Sequence, residues 1–116
     1  MSKLRKARLK GLIKRELSDI FLKEISDPRI GFININDVEL SPDLRYAKVF
    51  FGVIGDEKDK ERTIEGLKSA TKHIQALLGG RLKLRYVPFI SFHYDETIER
   101  AVRLTEIIEE LEKKNE

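Results

Sequence analysis

The chain has 116 residues and a net charge of +3; 41% of its residues are apolar, 37% are charged and none is Cys. This length accommodates one hydrophobic core, so we expect a single domain spanning residues 1–116. The absence of Cys excludes disulfides and thiolate metal sites, and no stretch has the character of a membrane span or a signal peptide, which favours a cytoplasmic protein.

The first predicted element is a helix from about Lys3 to Ile25. Its apolar residues recur every three or four positions, which is helical spacing, at Leu9, Leu12, Ile13, Leu17, Ile20 and Phe21. The first fifteen residues contain cations and no acid. Cations at a helix N-terminus oppose the macrodipole, so the cluster favours a surface for a polyanion, with a solvated helix end as the alternative.

Two strands follow, over Ile30–Leu40 and Arg45–Ile54, and both show the alternation of a half-buried strand. The apolar phase of the first strand changes near Asp37, which predicts a bulge or bend there. Ser41-Pro42-Asp43 has the composition of a turn. The two strands are therefore predicted to form an antiparallel hairpin.

The second half of the chain predicts a helix, a strand and a last helix. Asp56 or Asp59 is placed to cap the central helix, and Ile90, Phe92 and Tyr94 alternate as a third strand. Gly79-Gly80 is expected to bend or end the central helix, or alternatively to cradle a phosphate. Asp95 caps the last helix, whose buried side is predicted to consist of Ile98, Ala101, Val102, Leu104, Ile108 and Leu111.

This order of elements predicts an α+β two-layer fold, with helices packed on a three-stranded sheet. No nucleophile elbow, phosphate-binding Walker loop or dinucleotide fingerprint is present in the sequence. His73 and His93 lie on different elements, without the spacing of metal ligands. We therefore expect no enzyme activity, no metal, no cofactor and no small-molecule substrate.

Four segments in order resemble the bacterial ribosome-binding factor A family: Ser41–Leu44, Ala47–Val49, Leu82–Pro88 and Phe92–Thr97. The resemblance covers nearly the whole chain. It implies a KH-like fold of type II and a non-catalytic factor that binds the immature small (30S) ribosomal subunit. It also implies assistance in late 16S rRNA processing and maturation, and a role in cold adaptation.

The family carries a kink between two helices with an Ala-x-Gly pattern. The matching positions here are Ala70, Thr71 and Lys72, and Lys72 departs from the Gly. The expected order is thus helix, strand, strand, kinked helix, strand, helix.

We expect a protein that is monomeric when free, does not bind membranes, and has the small ribosomal subunit and its 16S rRNA as partners. The predicted rRNA contacts are cations, which bind phosphates without reading sequence: Lys3, Arg5, Lys6, Arg8, Lys10, Arg45, Lys48, Lys72, Arg81, Lys83 and Arg85. Tyr46, Phe50 and Tyr86 either stack on bases or pack in the fold. The alternatives are a generic single-stranded RNA-binding KH-like module and a protein-interaction module that uses the acidic C-terminal helix.

Overall fold

The computed structural model describes residues 3–114, with the side chains of residues 98–102 outside the description. The elements are α1 (Lys3–Lys23), β1 (Phe32–Leu40), β2 (Tyr46–Ile54), α2 (Glu57–Leu82), β3 (Phe89–Tyr94) and α3 (Thr97–Lys114). The predicted order of helices and strands is confirmed. The strand boundaries differ from the predicted ones by one or two residues.

The sheet has the strand order β1-β2-β3. β1 and β2 form the predicted antiparallel hairpin, and β2 and β3 are parallel. A parallel pair needs a long crossover connection, which α2 provides. The register of the hairpin shifts between Ile35 and Asp37, which confirms the bulge predicted from the change of apolar phase.

The core lies between one face of the sheet and the two helices α1 and α2. Phe51 is 2% exposed, and its ring packs edge-on against Phe92 and Tyr94, with centroid distances of 6.3 and 5.7 Å. Side chains from both helices complete the core, including Ile13, Leu17, Ile20, Leu67, Ile74 and Leu78. The opposite face of the sheet carries exposed side chains from all three strands.

α2 begins with a capping box. The Asp56 carboxylate accepts from the Asp59 N–H at 2.9 Å, and the Asp59 carboxylate accepts from the Asp56 N–H at 3.0 Å. Each aspartate thus satisfies a backbone donor that a helix start leaves without an intrahelical partner. Both residues named as candidate caps therefore act together.

α2 is uninterrupted from Glu57 to Leu82. Neither Ala70-Thr71-Lys72 nor Gly79-Gly80 separates two helices, and the expectation that the glycine pair ends the helix is wrong. Leu78 and Leu82 are buried on either side of the glycines, so packing outweighs the poor helix propensity of Gly. The Thr71 hydroxyl donates to the Leu67 carbonyl at 2.6 Å, a bond that often bends helices. A change of axis direction there stays a prediction.

The prediction that one side of α3 is buried is wrong at every predicted position whose side chain the structure describes. Leu104, Ile108 and Leu111 are 59%, 47% and 55% exposed, while Ile98, Ala101 and Val102 lie outside the described side chains. The described side chains of α3, which are Thr97 and residues 103–114, are all exposed. The apolar stripe correctly identified an amphipathic helix, but α1 and α2 already cover the core face of the sheet.

Candidate nucleic-acid interface

Basic and aromatic residues occur at and just before the starts of β2 and β3. Tyr46 and Phe89 are partners in the parallel register, and the Phe89 N–H donates to the Arg45 carbonyl at 2.8 Å. Arg85 precedes Phe89 by four residues, which an extended chain spans in at most about 14 Å. We name this set the sheet-end surface; its members are Arg45, Tyr46, Lys48, Lys83, Arg85, Tyr86 and Phe89.

A glutamine on α2 holds the start of β3, where Phe89 lies. The Gln75 amide NH₂ donates to the Pro88 carbonyl at 2.9 Å, and its oxygen accepts from the Ile90 N–H at 2.8 Å. Lys83 ends the helix in the left-handed conformation, with φ of 50°, and so turns the chain out of α2 towards β3. Gln75 was not identified from the sequence, because nothing near it in the chain marks these bonds.

The cations of the sheet-end surface are exposed and weakly paired. Arg45 lies 3.8 Å from the Asp43 carboxylate, and both side chains are more than half exposed; such surface pairs contribute little. The Arg85 guanidinium lies 5.5 Å from the centroid of the Tyr86 ring. Among the described residues, Lys48 and Lys83 form no ion pair. These charges are therefore available to an external anion.

Asp43 has a local role in the turn before β2. Its carboxylate accepts from the Ser41 hydroxyl at 2.8 Å and from the Arg45 N–H at 3.1 Å. These hydrogen bonds, the Ser41 bond foremost, lower the pKa of Asp43 below its ordinary value. The turn thus holds Arg45 and the start of β2 in place.

Arg81 is not part of the sheet-end surface. Its guanidinium donates to Asp19 at 2.6 Å, to Glu24 at 2.9 Å and to Glu16 at 3.1 Å. The hydrogen bonds with Asp19, Glu16 and Glu24 raise the pKa of Arg81 above its ordinary value. The bond to Arg81, followed by that to Lys23, lowers the pKa of Asp19.

These five side chains form what we call the Arg81 network: Glu16, Asp19, Lys23, Glu24 and Arg81. The network fastens the C-terminal end of α2 to α1. Its three carboxylates outnumber its two cations, so its surroundings do not favour a phosphate. Arg81 was predicted to contact rRNA from its neighbours in sequence, and the structure instead gives it a role between the two helices.

The N-terminal cations lie on another part of the surface. Lys3, Arg5, Lys6, Arg8 and Lys10 are all on α1. The Lys10 amine lies 3.6 Å from the Asp37 carboxylate on β1, whereas the sheet-end surface lies around the starts of β2 and β3. The exposed Lys72 is on α2. The predicted cations therefore do not form a single patch.

The predicted kink borders a groove. Ala70 and His73 line an open volume of about 580 Å³, together with the chain that follows α1. Asp27 contributes a carboxylate to this lining, and Arg29 is already bonded to that carboxylate at 2.8 and 3.1 Å. The groove therefore has no surplus of positive charge and is a weaker candidate for phosphate than the sheet end.

Over the described residues, no group of His, Asp and Glu side chains is arranged to hold a metal ion. No helix in that part of the chain has both the length and the apolar character needed to cross a membrane.

The model for the family described as ribosome-binding factor A matches residues 5–108. A Halothermothrix orenii protein of that name is 48% identical over 116 residues, which cover 100% of this chain and 95% of the relative. A Staphylococcus carnosus protein of the same name is 43% identical over 115 residues, which cover 99% of this chain and 100% of the relative.

Two structural comparisons agree with the sequence relatives. The crystal structure of ribosome-binding factor A from Thermus thermophilus has a TM-score of 0.66 and 27% identity, covering 77% of this chain and 93% of that one. A homology model of the Thermus thermophilus ribosome binding factor A, fitted into the cryo-EM map of a 30S complex, has a TM-score of 0.64 and 26% identity. It covers 78% of this chain and 94% of that one.

Proposed function

Because the chain belongs to the ribosome-binding factor A family, we propose that it binds the immature small ribosomal subunit and assists late maturation of 16S rRNA without catalysing a reaction. The observation that carries this proposal is the sheet-end surface, where exposed cations adjoin exposed rings. The similarity to a relative fitted into a 30S complex supports the choice of partner. The whole chain acts as one KH-like domain in the cytoplasm, and it is a monomer when free.

In the proposed mechanism, cationic side chains neutralise rRNA phosphates and fix the docking position, and the shape of the RNA provides selectivity. Binding then favours one rRNA conformation over another, and the factor dissociates afterwards. Arg81 is not among the proposed contacts, because its guanidinium is bonded to three carboxylates of the fold. The proposed contacts are Lys3, Arg5, Lys6, Arg8, Lys10, Arg45, Lys48, Lys72, Lys83 and Arg85.

The proposal predicts a steep dependence of affinity on salt. Neutralising phosphates of single-stranded RNA gives a slope of about −0.7 per contact. The four cations of the sheet-end surface alone give a slope of about −2.8, so a fourfold rise in salt should lower the affinity for small subunits about 50-fold. An affinity that does not change with salt would exclude this electrostatic mode of binding.

Charge reversal tests the site itself. The double variant Lys83→Glu with Arg85→Glu should bind small subunits much more weakly, because attraction to phosphate becomes repulsion. Both side chains are exposed, so the free energy of unfolding should change by about 0.5 kcal/mol or less at each position. The matched control, Glu109→Lys with Glu112→Lys on α3, should bind at least as well as wild type. Normal binding by the first variant would remove these residues from the interface.

The variant Lys83→Gly should change stability and binding in opposite directions. A residue with a side chain pays about 1–2 kcal/mol in the left-handed conformation, and Gly does not. This variant should therefore unfold at a higher temperature than wild type, although it loses one phosphate contact. Weaker binding with a raised thermal midpoint would assign Lys83 to the interface, whereas unchanged binding would exclude it.

The exposed stripe of α3 favours a second candidate, a protein-interaction module that docks this helix on a basic protein surface. Leu104, Ile108 and Leu111 would be buried there, and the acidic side chains of the helix would face the partner's cations. Association with small subunits that resists both high salt and nuclease would favour this candidate over rRNA binding.

A further inference from the structure

The face of the sheet turned away from α1 and α2 carries two pairs of aromatic rings. Tyr46 and Phe89 have centroids 6.3 Å apart, and Phe50 and His93 have centroids 5.7 Å apart. Tyr46 is 59% exposed and Phe89 is 65% exposed. The rings of these pairs are inclined by 35° and 37°, far less than the 73° to 79° of the core pairs. The two ring planes of each outer pair are therefore closer to parallel than the ring planes of the core pairs.

Polar side chains separate and border the ring pairs. Lys48 lies between them on β2, with Glu39 and Ser91 as its neighbours on the adjoining strands. Beyond the second pair, the Asn34 side-chain amide NH₂ donates to Oδ1 of the Asn36 side chain at 2.8 Å. A surface built to dock an apolar protein element would carry a continuous apolar patch. Here each pair of rings instead has a cation or amides beside it.

The two pairs are too far apart to be reached by two consecutive bases that are stacked on each other. Tyr46 and Phe50 are four residues apart on β2, which is about 13 Å at about 3.3 Å per residue. Stacked bases rise only about 3.4 Å each. Two consecutive bases that lie on the two pairs must therefore be unstacked from each other, and such bases occur in single-stranded loops, bulges and ends.

We infer that the open face of the sheet binds two unpaired RNA bases, one on each ring pair, with a phosphate between them contacting Lys48. The exposed Arg45 and Arg85 continue the positive charge at the sheet end, where the strand would enter. Aromatic side chains stack on any base, so this surface selects unpaired RNA without selecting its sequence. The inference rests on the proposed function, because it assigns the kind of rRNA segment that the factor binds.

The first test removes one ring pair and keeps its bulk. Tyr46→Leu with Phe89→Leu should lower the affinity for small subunits by about 5-fold to about 150-fold, the effect of losing one stacked base. The dependence of affinity on salt should not change, since no cation is removed. Tyr46→Phe should bind as wild type does. The control is Phe32→Leu, which removes a ring that is 79% exposed at the far end of the sheet and should have no effect.

The second test observes stacking directly. The chain has no Trp and three Tyr, so Tyr86→Phe with Tyr94→Phe leaves Tyr46 as the main fluorophore. A short oligouridine should quench its fluorescence saturably, because a stacked base contacts the ring. Absence of quenching would overturn the inference, as would equal losses of subunit binding from the Phe32 control and the Leu pair.

The two tests distinguish failure of the inference from failure of the proposed function. If the variant lacking Tyr46 and Phe89 binds subunits like wild type while the Lys83 and Arg85 charge reversal does not, the stacking surface is wrong and the proposed function stands. If the wild-type protein does not bind small subunits at all, the proposed function is wrong. Quenching by oligouridine then decides separately whether the face binds bases.

Discussion

The exposed stripe of α3 predicts that this helix can be altered without unfolding the domain. Replacing Leu104, Ile108 and Leu111 together by Gln should change the free energy of unfolding by no more than about 1.5 kcal/mol, since surface substitutions each contribute about 0.5 kcal/mol or less. Gln also has nearly the helix propensity of Leu. If the stripe were part of the core, each replacement would cost about 2–5 kcal/mol. The sum would rival the whole stability of a domain, about 5–15 kcal/mol.

Chemical denaturation followed by far-UV circular dichroism distinguishes these cases, because the midpoint falls in proportion to the lost free energy. The matched control is Leu78→Ala, at a fully buried position on α2, which should lower the free energy of unfolding by about 2–5 kcal/mol. If the triple α3 variant lost as much stability as this control, α3 would pack on the domain in solution. The reasoning from its exposure would then be refuted.

Three further predictions concern the contacts that α2 makes with the rest of the fold. Gln75→Leu leaves a carbonyl and an N–H at the start of β3 without partners, so unfolding should become easier by about 1–3 kcal/mol and subunit affinity should fall, as denaturation and binding assays will show. Gly66→Ala should destabilise by up to about 2 kcal/mol in denaturation, because the new Cβ would lie 2.7 Å from the Ile30 side chain and overpacking outweighs the gain in helix propensity. Arg81 lowers the pKa of Asp19, so that carboxylate contributes stability above its unfolded-state pKa of about 3.9 and loses it as the pH falls through the lower folded-state pKa. Arg81→Met should therefore lower the thermal midpoint near neutral pH and lessen its further fall on acidification, with little effect on subunit binding.

Local patterns were sufficient to predict the elements and their order. The bulge in β1 followed from the change of phase between Ile35 and Val38, because one extra residue moves every later side chain to the other face. The cap of α2 followed from the polar loop before the apolar stripe, in which Asp56 and Asp59 were alternative caps, and the structure shows that both take part. These features depend on residues close together in sequence, which is why they could be predicted.

Contacts between distant parts of the chain could not be predicted in this way. Lys83 and Arg85 made Arg81 look like a third phosphate contact, but its partners lie more than fifty residues earlier, on α1. An amphipathic stripe on α3 indicated a face suited to burial and gave no information on what covers it. The exposure of Phe89 could have been predicted, since Phe89 alternates with the buried Ile90 along β3.

The Arg81 network also affects how the remaining positive charge is used. Where α1 meets the end of α2, three carboxylates surround two cations, so that part of the helix layer has no net attraction for phosphate. At the sheet end there are four exposed cations, whereas the turn and the adjoining strand contribute three acids, Asp37, Glu39 and Asp43, of which Asp37 pairs with Lys10 on α1. Charges farther apart than about 8 Å are largely screened at physiological salt. The local numbers of acidic and basic side chains, and not the net charge of the chain, therefore determine which part of the surface attracts a phosphate backbone. Because the carboxylates of α1 neutralise Arg81, the RNA contact that we propose falls on the sheet end and not on this part of the helix layer.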